Sequence, residues 1–190
     1  MAAGQADSPQ RGEFELIARI LAPLTGGDAR ALGLTDDAAV LSQKTGTDTV
    51  VSTDTLVAGV HFLMSENPDV IARRLLRVNL SDVAAMGAQP AGYFLNLTLP
   101  AATENDWLER FASGLAEDQG EFGVTLLGGD TTHTTGPLTL SATMFGEVPS
   151  GAAVRRSTAT PGDIVFVSGT IGDAGLGLSR LLENCSTNDA

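Results

Sequence analysis

The sequence predicts an α+β fold, and three observations carry that reading. Segments of strand and helix character follow in the order strand, strand, helix, strand, helix, strand, strand, which suits helices packed on a mixed or antiparallel sheet better than a doubly wound one. Two long stretches repeat apolar residues at steps of three and four, with caps or stops at their ends. Hydrophobic residues make up 43% of the 190 and charged residues 18%, enough apolar material for a core.

Residues 1–12 are small and polar and read as a disordered tail. From Glu13 to Leu24, Phe14, Ile17, Leu21 and Leu24 recur at helical spacing, and Gly26 and Gly27 end the segment. Ala38 to Ser42 and Thr49 to Leu56 are apolar and β-branched about the turn-like Gln43 to Asp48, the pattern of a hairpin. Asn67 to Met86 turns helical: Ser65 or Asn67 can cap it, Pro68 suits the first turn, and Gly87 stops it. Gly92 to Leu99 alternates as a strand does. Thr103 to Phe122 forms a second amphipathic helix with Trp107, Phe111 and Leu115 on one face, and Val124 to Leu127 and Leu138 to Val148 read as strands.

Pro149 to Pro161 looks like a boundary, so residues 13–149 form one domain and residues 150–190 a linker and the opening of another. In the latter, Asp163 to Ser168 reads as a strand, Gly169 to Gly177 as a glycine-rich turn and Leu176 to Leu182 as a helix. A strand and a helix cannot bury a core alone, so this second domain is expected to be truncated.

A net charge of −12 repels nucleic acid and anionic membranes, and both are excluded as expected partners. The same acidity also serves solubility. The single Cys185 cannot form an internal disulfide, no run reaches the length of a membrane span, and a cytoplasmic location is expected. There is no glycine-rich loop ending in Gly-Lys-Ser/Thr, no cysteine cluster and no nucleophile elbow. His61 and His133 lie too far apart in sequence to read as a zinc pair.

What stands out is a set of aspartates. Ile71, Leu75, Val78, Asp82 and Met86 share one helix stripe, which places Asp82 on an apolar face. A carboxylate there needs a cation, a proton or a hydrogen-bond donor, and a neighbouring backbone amide is the plainer alternative. Asp54 ends a strand on which Ser52 points the same way, giving two hard oxygen donors. Asp36 and Asp37 are adjacent, and Asp130 follows Gly128 and Gly129 directly after an apolar strand. Aspartates at strand ends beside glycines suit nucleotide-borne magnesium, although Asp and Gly also make ordinary turns.

Read together, the segments resemble the thiamine-monophosphate kinases. The resemblance rests on Gly12-Glu13-Phe14, Asp36-Asp37-Ala38-Ala39-Val40, Ser52-Thr53-Asp54-Thr55-Leu56-Val57 with Gly59-Val60-His61-Phe62, Asn79-Leu80-Ser81-Asp82, Gly128-Gly129-Asp130-Thr131-Thr132 and Arg156-Ser157, in family order. It implies the aminoimidazole ribonucleotide synthetase-like fold, with 13–149 as an ATP- and magnesium-binding, dimerising domain. It implies transfer of the ATP γ-phosphoryl group to thiamine monophosphate, and a homodimer joined through the N-terminal sheet. Carried over by position, Asp37, Ser52, Thr53, Asp54, Asp82 and Asp130 match magnesium ligands. Gly129, Asp130 and Arg156 match nucleotide contacts, and His61 a substrate contact. No side chain is required as nucleophile. Two departures are Thr35, where the family usually has Gly, and His133, where an Arg is common. Without most of the second domain, weak or absent activity is expected. The alternatives are a non-catalytic dimerisation fragment or a related ATP-dependent enzyme acting on another small molecule.

Overall fold

The structure, a computed structural model, describes residues 13–36, 38–42 and 44–187, with side chains from residue 14 to residue 182. Two compact units divide it, residues 1–155 and 156–190.

In the first unit, helical turns over Glu13–Leu16 (α1), Ile17–Leu21 and Ala22–Thr25 follow one another as α-, π- and 3-10-type turns. Gly26 ends them in the left-handed conformation, at φ 56°. Of the expected amphipathic stripe, Leu24 is buried and Leu21 packs against the core, but Phe14 is exposed and Ile20, outside the stripe, is buried. The inserted π turn changes the helical phase, which the 3.6-residue reading could not anticipate.

A 3-10 segment, Ala29–Leu34, is capped by Asp28 and leads to β1, Thr47–Val57. The sheet continues with β2 (Gln89–Pro100), β3 (Leu126–Thr134) and β4 (Thr139–Pro149) in the spatial order β1-β4-β2-β3. β4 is antiparallel to both β1 and β2, whereas β2 and β3 run parallel. The expected hairpin is therefore absent. Residues 38–42 form no strand, and β1 takes all its ladder bonds from β4, so the pairing is non-local and invisible to a turn-based reading.

Helices α2 (Pro68–Ala85) and α3 (Asn105–Phe122) pack together, and α2 lies against β1, β4 and β2. Pro68 sits in the first turn of α2 where its missing N–H costs nothing, and α3 ends on Gly123 at φ 66°. The helices approach closely at Gly114, where a Cβ would lie 2.4 Å from the Asp69 carbonyl oxygen. Leu75, Leu76 and Val83 of α2 meet Tyr93, Leu97, Leu140 and Met144 of the sheet in one core, all at most 1% exposed. Arg77 closes the helix pair with a two-point fork to the buried Asp118, at 2.8 and 2.7 Å.

The sheet has a second face without helices. Val51, Thr53 and Thr55 of β1 point there, and Phe94 meets Phe145 edge-to-face at 5.6 Å between ring centres. In the second unit, a short turn at Arg156–Thr158 precedes α4, Asp173–Thr187, which contains the expected helix. The expected strand 163–168 is not formed; within those 35 residues no other strand is present among the described ones to pair with it.

Candidate functional site: two polar groups on opposite edges of the sheet

Strands β1 and β3 form the two edges of the sheet, and each carries one group of the aspartates. On β1, pleating sends alternate side chains to opposite faces. Ser52 and Asp54 share the helix-covered face with buried Leu56. The Ser52 hydroxyl donates to Asp82 Oδ2 at 2.7 Å, so strand and helix bring these two residues together.

Asp82 itself corrects the sequence reading. It is exposed, not set in the apolar stripe; the buried positions are Ile71, Ala72, Leu75, Leu76, Asn79, Leu80 and Val83, and Val78 is 36% exposed. The error is an angular one. Asp82 follows Val78, and both border the buried stripe instead of lying within it.

Thr53, between Ser52 and Asp54, faces the open side. Its hydroxyl donates to the Ala142 carbonyl and lies 3.1 Å from the Thr143 hydroxyl. Consecutive residues of one strand thus serve two faces.

After β1 the chain turns at Gly59, φ 79°, and buried Phe62 anchors the return through a bridge to Ala58. His61 is exposed on this turn, and its Nδ1 accepts from the Val57 N–H at 3.0 Å.

The other edge is built from backbone and space. Gly128, Gly129 and Asp130 lie within β3, not after it as the sequence suggested, because the strand runs on to Thr134. A Cβ on Gly129 would lie 1.8 Å from the Leu95 carbonyl oxygen, and its φ of 153° is also disfavoured for other residues. Beside these glycines opens a cavity of about 510 Å³. Asp36 and Asp130 line it together with Asn96 and Thr143, against an apolar wall that includes Ile17 and Leu21.

The turn before Asp36 is strained. Leu32 and Leu34 flank Gly33 at positive φ, 50° and 56°. Thr35, by contrast, has φ −108°, so it needs none of a glycine's freedom and bonds the Leu32 carbonyl through its hydroxyl at 2.9 Å.

Three strand spacings, roughly 14 Å, separate β1 from β3. Asp54 and Asp130 therefore do not share a coordination sphere within one sheet. Among the described residues, no group of three or more His, Cys, Asp or Glu is placed to hold a metal ion. Asp37 lies outside the described residues, and Arg156 belongs to the second unit. Sequence reasoning missed the cavity wall, which comes from five separate segments, and the Glu66–Arg74 pair below the His61 turn. No periodicity or spacing marks either one.

Residues 35–148 match the family described as AIR synthase related protein, N-terminal domain. A thiamine-monophosphate kinase of Caulobacter vibrioides is 54% identical over 177 residues, covering 93% of this chain and 50% of that protein. The crystal structure of thiamine-monophosphate kinase from Stenotrophomonas maltophilia K279a superposes with a TM-score of 0.77 at 46% identity, covering 91% of this chain and 54% of the other. A structure titled AaThiL complexed with AMPPCP and TMP superposes with a TM-score of 0.71 at 32% identity, covering 91% and 53%. The chain spans about half the length of the curated relatives it matches.

Proposed function

The chain belongs to the family of AIR synthase related N-terminal domains, and from that premise we propose that it forms the ATP- and magnesium-binding domain of a kinase that phosphorylates thiamine monophosphate to thiamine diphosphate. The observation that supports this most is the cavity at Gly128-Gly129-Asp130. It sets two carboxylates and a side-chain-free strand edge against an apolar wall, which suits a nucleotide with a flat base and a charged tail.

The donor set at the β1 edge fits magnesium. Ser52, Asp54 and Asp82 offer only oxygen atoms, and the Ser52 hydroxyl keeps its lone pairs free while donating to Asp82. In our reading these three, with Asp37, Thr53 and Asp130, hold more than one ion between them. Bound magnesium would neutralise phosphate charge that an acidic protein otherwise repels.

The chain's own part is positioning. Gly129 and Asp130 contact the nucleotide, and His61 meets the acceptor. The acceptor oxygen is already ionised at neutral pH, so no general base is needed, and alignment carries the transfer.

We also propose that residues 13–149 are the ATP- and magnesium-binding, dimerising domain of a cytoplasmic protein. The helix-free face of the sheet, with Val51 56% exposed beside Phe94 and Phe145, is the surface a second copy would cover. That face also favours a second reading, a dimerisation module without activity of its own.

Calorimetry with Mg-ATP tests the first reading. Binding should weaken at least tenfold in Asp54→Asn and in Asp82→Asn; if both bind like the wild type, the metal assignment is wrong. A stable dimer in sedimentation, with no turnover of ATP and thiamine monophosphate, would favour the second.

A further inference from the structure

The turn between β1 and α2 is held by an ion pair that also reaches His61. The Arg74 guanidinium donates to Glu66 Oε2 at 2.9 Å and, through its other terminal nitrogen, to Oε1. The same Arg74 Nη1 donates to the His61 carbonyl oxygen at 3.2 Å, and Glu66 Oε2 accepts from the Leu63 N–H at 3.3 Å. One planar fork therefore grips the residue of interest and the strap that follows it.

The side-chain exposures are 14% for Glu66 and 35% for Arg74, so the pair is shielded enough to hold its geometry. His61 is held from the other side as well. Its N–H donates to the Val57 carbonyl at 2.9 Å, and its Nδ1 accepts from the Val57 N–H. An imidazole whose Nδ1 accepts must, when neutral, carry its proton on Nε2. The exposed edge of the ring thus presents a single N–H donor.

We propose that Glu66 and Arg74 are positioning residues that hold His61 in the Nε2–H form, aimed as a hydrogen-bond donor at an anionic oxygen of the phosphorylated acceptor. This rests on the acceptor reading above. The chemistry requires a donor there: a phosphate oxygen is acceptor-only, and an Nε2 without its proton would repel it. Arg74 is suited to the task because a lysine ammonium, a point charge, cannot satisfy the carboxylate and the His61 carbonyl in one plane. Exposed Val60 and Met64, on either side, supply apolar surface next to the donor, where the organic part of such an acceptor would lie.

The chain has only two histidines, so long-range proton–nitrogen correlation spectra can report the His61 tautomer directly. Wild type, Arg74→Gln, Glu66→Gln and His61→Ala are compared, with titration of thiamine monophosphate by calorimetry alongside. The wild-type ring should be in the Nε2–H form, and both clamp variants should show a mixture of tautomers. Affinity for thiamine monophosphate should fall about tenfold in each, the size of one lost hydrogen bond to a charged group. Combining either change with His61→Ala should add little to His61→Ala alone.

A mixed tautomer in the wild type overturns the proposal, as do clamp variants with wild-type spectra, or losses that add in full to that of His61→Ala. If thiamine monophosphate binds no variant, wild type included, the acceptor reading falls, and the tautomer comparison alone decides whether Glu66 and Arg74 position the ring.

Discussion

The two edges of the sheet solve the same electrostatic problem by different means. At β1 the polar groups are side chains already engaged with one another: Ser52 with Asp82, Thr53 with Thr143, and Thr55 with Ser141. At β3 the strand is stripped to Gly128 and Gly129, and the polarity is supplied by backbone and by Asp36 and Asp130 around open volume. One edge carries polar side chains bonded to their neighbours; the other borders open volume. The lesson is that the glycines of β3 serve close packing on β2, where a Cβ would strike the Phe94 ring or the Leu95 carbonyl, and the open volume lies beside them.

The comparison breaks first at Gly129. Gly129→Ala places a methyl inside the Leu95 carbonyl contact, so the strand must shift, at a cost of about 3 kcal/mol or more in urea unfolding. A loss below about 1 kcal/mol would mean the β3 edge is not closed to side chains.

Acid sharpens the contrast next. Asp28 caps the turn that leads to the cavity wall, and Arg30 carries that contact on to the Ala91 carbonyl of β2 at 2.7 Å. The Arg30 side chain and N–H hold the Asp28 carboxyl down at about 2, from an ordinary 3.8. A depressed carboxylate stabilises the fold at pH above its unfolded value and loses that contribution as pH falls through the folded one. Between pH 4 and pH 2 the β3 side should therefore loosen by on the order of 1 kcal/mol. Hydrogen exchange should rise over Ala29–Leu34 while the centre of β1 stays protected; equal loosening of both would erase the distinction.

The smallest effect belongs to Ser52→Ala. The lost hydroxyl costs roughly 0.5 kcal/mol of stability, since Asp82 is exposed and water replaces the bond. Magnesium titration should nonetheless show weaker uptake. Unchanged uptake would reduce the Ser52–Asp82 contact to a structural one.

Local rules made much of this fold legible. Pro68, Gly87 and Gly123 mark helix ends by backbone chemistry that acts on a few neighbouring residues, and α2 and α3 fall within two residues of the predicted bounds at each end. Long-range pairing was not legible. Nothing near Thr49 announces that β1 pairs with β4, with Asp54 opposite Ala142, and the hairpin reading failed for that reason. In the site, Ser52 and Asp54 were readable as oxygen donors two residues apart on one strand, although they lie inside β1 and not at its end, and Asp82 as a carboxylate on a largely apolar helix. Their environment was not: a helix stripe fixes direction only to within the angle separating Asp82 from Val83, and that angle divides exposed from buried. The Arg77–Asp118 and Arg74–Glu66 pairs were hidden for a related reason, since each joins positions whose proximity depends on the fold.

Ser52, Thr53 and Asp54 carry one more implication. Because neighbours on a pleated strand look opposite ways, inserting or deleting a single residue upstream within β1 would exchange their assignments, sending Thr53 to α2 and its two companions to the open face. The length of this strand is thereby frozen from the paired Thr47 to the His61 turn. Insertions and deletions in related chains should be absent between Thr47 and Val57.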